Sequence, residues 1–112
     1  MKTNKIVSEN TPMQIVANPS YYGTIQKQWV MNAQGPELEA MLLDFLTELD
    51  EYQQIAGDND DEQMVQEFAN DYNTIEAYYI KVKNKNNLSF NERNDIRSIM
   101  KFDVKQVIQY LC

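Results

Sequence analysis

Apolar residues recur through the middle of the chain at alternating steps of four and three. Leu38, Leu42, Phe45, Leu49, Tyr52 and Ala56 keep one side of a 3.6-residue helix turned toward a neighbour. Gly35-Pro36 opens this helix and Gly57 closes it: proline loses nothing in a first turn whose N–H groups are unpaired, and glycine suits the closing turn. The pattern predicts a helix over 36–56. Val65, Phe68, Tyr72, Ile75, Tyr79 and Val82 repeat the alternation and predict a second helix over 60–83. Asp58, Asp60, Asp61 and Glu62 stand at its start and Lys81, Lys83 and Lys85 at its end, each sign on the end that the helix dipole favours. Two such helices joined by a short Gly-Asp loop lie antiparallel. Met41, Leu46 and Ile55 on the first, with Met64 and Tyr78 on the second, widen the stripes, so further helices must cover the flanks.

Outside this hairpin the signals are shorter. Residues 84–88 read as a polar linker, and Ser89-x-x-Glu92 is a capping box that starts a helix over 89–111. Its apolar face is Ile96, Ile99, Met100, Val104, Val107, Ile108 and Leu111, while Asp103-x-x-Gln106 offers a fresh start that would split it into a helix pair. Asn18-Pro19 opens a helix over 18–33 that carries Tyr22, Ile25 and Trp29 and is weakened by Gly23. Residues 1–17, where Pro12 separates Ile6-Val7 from Ile15-Val16, read as an extended arm. The expected fold is all-α: a small helical bundle on a long antiparallel helical hairpin, with a short N-terminal arm. A chain of 112 residues fits one domain.

Composition removes most catalytic chemistry. Histidine is absent, which takes away the usual general base, the His-containing zinc sites and the Ser-His and Cys-His nucleophiles. The one cysteine, Cys112, has no partner for a disulfide within the chain. Seventeen Asp and Glu single out no catalytic pair. The acidic turn from Gly57 to Glu62 fails as a calcium loop, because the positions for the loop glycine and the closing bidentate glutamate fall on Gln63 and Ala69. The reading is therefore a protein that is not an enzyme, with no cofactor and no metal. No apolar run approaches the ~20 residues that span a bilayer. The first residues lack the apolar core of a secretion signal, which makes the cytoplasm the expected location.

Charge segregation changes the picture most. From Pro36 to Glu76 there are thirteen acidic residues and no lysine or arginine, whereas from Lys81 onward seven basic residues face three acidic ones. At 100° per residue Glu37, Asp44, Glu48 and Glu51 fall within about 60° of one another, in a row read as facing solvent roughly opposite the seam. Asp60, Glu67 and Asp71 form a similar row on the next helix. Like charges four apart weaken a helix, so the rows need a function or a neutralising neighbour.

The functional expectation is a protein-binding inhibitor or adaptor. Its partner would be a protein with a basic surface, such as a nuclease or other nucleic-acid enzyme, which otherwise holds phosphates. Small acidic helical proteins of phages and plasmids that block nucleases, restriction enzymes or CRISPR effectors supply the class analogy, with carboxylates acting as a DNA mimic. The candidate contact residues are Glu37, Asp44, Glu48, Glu51, Asp60, Asp61, Glu67 and Asp71, with Tyr21 and Tyr22 as aromatic anchors and Tyr78 at the flank. The competing expectation has Arg93, Arg97, Lys101 and Lys105, spaced by four, folded onto those acids. Self-association through leftover seam positions is a further alternative, and so is a helix-turn-helix built from a split 89–111 segment, which an acidic field disfavours on DNA.

Overall fold

A computed structural model describes residues 30–111 of the chain. Three long helices fill most of that span: α1 (Gly35–Asp58), α2 (Glu62–Lys83) and α3 (Phe90–Leu111). Residues 30–32 are also helical, and no strand occurs among the described residues. The fold is all-α, a bundle built on the antiparallel α1–α2 hairpin. The expected arm over 1–17, most of the 18–33 helix with Tyr21 and Tyr22, and Cys112 lie outside the described residues.

Local chemistry sets the helix ends. Gln34, with extended backbone and no side-chain cap, precedes α1, and Pro36 sits in its first turn. Gly35 holds φ +47°, a left-handed conformation that glycine adopts without a steric cost. At the other end α1 overruns Gly57 to Asp58, because another residue supplies the left-handed turn: Asp60, at φ 58°, a type that tolerates this region better than most. The Asn59 side-chain amide donates to the Ile55 carbonyl at 2.8 Å, and the Asp61 N–H reaches the Ala56 carbonyl at 2.9 Å. Asp61 then caps α2 by accepting from the Met64 N–H at 3.1 Å. The capping box of α3 forms in both directions: the Ser89 N–H donates to Glu92 at 2.7 Å, and the Glu92 N–H donates to the Ser89 hydroxyl at 3.1 Å. No break follows at Asp103; α3 is one continuous helix, which removes the helix pair and the helix-turn-helix.

α1 is the central element of the core. Leu38, Leu42, Phe45, Leu49, Tyr52 and Ala56 are all buried, as are Met41 and Leu46 beside the seam. They meet Phe68, Ile75 and Val82 from α2 and Ile96, Met100, Val104 and Val107 from α3. The Tyr52 and Phe68 rings pack with centroids 5.7 Å apart and planes tilted 58°. Full burial of such side chains contributes roughly 1.5–3 kcal/mol each.

Arg93 departs from the expected basic outer stripe. It is buried, and its Nη1 donates to the carbonyls of Val30 and Ala33, both at 2.8 Å, while Nε donates to the Leu88 carbonyl at 3.4 Å. Carbonyls at a helix end lack partners within the helix, and a cation there is favoured by the dipole. One guanidinium thus ties the end of the helical stretch before α1 to the start of α3.

Candidate interaction surface

The acids of α1 divide by burial. Glu37, Glu51 and Asp58 are exposed and Asp44 is half-buried. Spaced by seven residues, these four form a line along the helix. Partial burial pushes the Asp44 carboxyl above its ordinary range. Glu48 does not belong to the outward row: it is 3 % exposed. On a helical wheel it lies only about 20° from Met41, and Met41, Glu48 and Ile55 share one heptad position on the flank of the seam. The row as a whole therefore runs along that flank rather than opposite it. The Tyr52 hydroxyl donates to Glu48 Oε1 at 2.9 Å. Burial pushes the Glu48 carboxyl up to about 8; the Tyr52 bond opposes this, and the charges of Asp44 and Glu51 add to it. Glu48 is thus mostly protonated at neutral pH and gives the surface little charge. Without it the step after Asp44 lengthens from about 6 Å to about 10.5 Å.

At the start of α2 and along it, Asp60 and Glu67 are exposed, while Asp61 and Asp71 are half-buried and turn toward α3. Asp61 accepts from the Tyr110 hydroxyl at 2.5 Å as well as capping its helix. The Tyr78 hydroxyl donates to Asp95 at 2.6 Å, so the phenol read as an interface anchor is tied within the fold. Lys81 pairs with Glu92 at 2.8 Å. Burial first, then the facing carboxylates, push the Tyr78 and Tyr110 phenols up to about 12. These contacts run in opposite directions along α2 and α3, as antiparallel neighbours require, and every one involves a carboxylate.

Asp103 lies between them. Read from the sequence as a cap, it is instead fully buried in mid-helix, and no hydrogen-bond donor reaches either of its oxygens. Its neighbour is the Asp71 carboxyl. Burial, that neighbour and the charge of Glu67 push Asp103 up to about 9. The signal was present in the spacing: Ile96, Met100, Asp103 and Val107 step by four, three and four, a seam position occupied by an acid.

Four of the described cations are committed elsewhere. Arg93 binds carbonyls, Arg97 Nη1 donates to Asn94 at 3.0 Å, and Lys83 lies over the Tyr79 ring at 5.7 Å. Lys81 with Glu92 is the ion pair found among the described residues. Arg93, Arg97, Lys101 and Lys105 form no ion pair there with Glu37, Asp44, Glu51, Asp60 or Glu67, so direct neutralisation of the hairpin by α3 is absent among these residues.

Chemically the surface offers carboxylates and little else. Among the described residues no three Asp, Glu or Cys side chains are grouped to hold a metal ion, and none of the helices is long and apolar enough to cross a membrane. No protein-family model, curated protein or solved structure matches the chain.

Proposed function

We propose that this protein is a non-enzymatic inhibitor or adaptor whose acidic hairpin docks on a basic protein surface of the kind that otherwise holds nucleic acid. The observation that carries this reading is the exposure of Glu37, Glu51, Asp58, Asp60, Glu62 and Glu67 with no ion-pairing cation among the described residues. An acidic field of this kind steers a basic partner and weakens with salt. Glu48 leaves the contact set, and Asp44, Asp61 and Asp71 contribute as half-buried edges. The phosphate-like spacing of four residues goes with Glu48, so the reading rests on the density of charge rather than on a detailed copy of DNA. A phage-type anti-defence role is one form this function takes.

The test is capture from lysate on immobilised protein, washed at stepped salt, with wild type beside the Glu51→Lys/Glu67→Lys double variant. Retention of nucleic-acid enzymes by wild type, lost at lower salt in the variant, supports the proposal. Equal retention of the same proteins by both, at every salt step, rejects it.

A further inference from the structure

Asp103 is fully buried halfway along α3, both its oxygens lack a donor, and the group facing it is the Asp71 carboxyl of α2, within hydrogen-bonding reach. Two ionised carboxylates in contact in a desolvated seam repel each other. One proton between them converts repulsion into an O–H···O⁻ bond of the strong, charge-assisted type. The surrounding charges make that proton necessary: Glu67 of α2 acts on both groups and Asp95 of α3 acts on Asp71, all negative, and no cation is among the groups acting on either.

We propose that the α2–α3 seam is a proton-held latch, in which one proton shared by Asp71 and Asp103 holds the C-terminal half of α3 against the hairpin and its loss releases that half. The two halves of α3 are held differently. The N-terminal half is anchored by the Arg93 clamp, the Lys81–Glu92 pair and the Tyr78–Asp95 bond. Beyond Asp103 the polar link to α2 is the Tyr110–Asp61 bond, and release there uncovers the buried Val104 and Val107.

The closed seam holds one proton more than the open one wherever pH lies above the ordinary carboxylate range and below about 9. The latch is therefore firmest in acid, and its opening grows about tenfold per pH unit across the neutral range.

Hydrogen exchange read by mass spectrometry on the full chain tests this, with rates corrected for the intrinsic pH dependence of exchange. Peptides covering 103–111 should lose protection about tenfold per pH unit between mildly acid and mildly alkaline pH, while peptides covering 90–97 lose much less. Asp103→Asn, which donates to Asp71 without a titrating proton, should remove that dependence. Protection of 103–111 that is flat with pH in wild type, or an Asp103→Asn profile that matches wild type, overturns the latch. Should that variant fail to fold, carboxyl-carbon NMR of wild type decides. A proton retained by the Asp71–Asp103 pair at neutral pH supports the latch, and two fully ionised carboxylates there overturn it.

Discussion

Replacing Glu48 by glutamine should make the protein more stable at neutral and alkaline pH, not less. The folded carboxyl titrates at about 8 from an ordinary 4.5, so folding takes up a proton at this side chain. Because the folded value lies above the unfolded one, the stabilising contribution is complete below pH about 4.5 and is lost as pH rises through about 8. Each proton so linked tilts stability by about 1.4 kcal/mol per pH unit, so between pH 5 and 7 Glu48 alone accounts for a fall of roughly 2–3 kcal/mol. Glutamine preserves the shape, still accepts from the Tyr52 hydroxyl and needs no proton. Urea denaturation followed by far-ultraviolet circular dichroism, at pH steps from 5 to 8, reads the difference. Glu48→Gln should flatten the slope of unfolding free energy against pH by about one proton and overtake wild type as pH rises. A wild-type stability that is level or rising over this range, or a variant with the wild-type slope, refutes the burial argument.

Other positions give simpler expectations. Arg93→Ala should cost about 3 kcal/mol or more, because it strips donors from the buried carbonyls of Val30 and Ala33, and Arg93→Lys should recover only part of this, since an ammonium lacks the planar fork; chemical denaturation ranks the three. Gly35→Ala should destabilise by about 1 kcal/mol through its positive φ alone, as a Cβ there meets open space; a neutral result in the same assay contradicts the left-handed conformation. At Lys85, a non-glycine at φ 68°, Lys85→Gly should raise the thermal midpoint, a gain of up to about 1 kcal/mol.

Much of this architecture was legible in the chain. Three-four spacing located the helices, and the Ser89–Glu92 box and the Asp61 cap formed where short-range chemistry places them. α1 ends two residues beyond the expected 56, because Asp60 rather than Gly57 takes the left-handed turn. The candidate surface was less legible, because residue type gives the charge whereas position on the helix decides burial. Glu48 shares a heptad position with Met41 and Ile55, Asp103 completes the run from Ile96 to Val107, and Arg93 lies seven residues before Met100, so their spacing marked all three as inward. Their partners were another matter. The Asp71–Asp103, Tyr78–Asp95 and Tyr110–Asp61 contacts join side chains distant in sequence, which no periodicity within one helix reveals.

The proposed function places partner binding on the exposed carboxylates of the hairpin. Calorimetric titration of a captured basic partner against wild type and Glu51→Lys/Glu67→Lys, at low and high salt, tests it most directly. Binding through these carboxylates gives affinity that falls with salt in wild type, and a loss of more than about tenfold in the variant at low salt with a shallower salt dependence. Equal affinities that ignore both salt and charge reversal would contradict it.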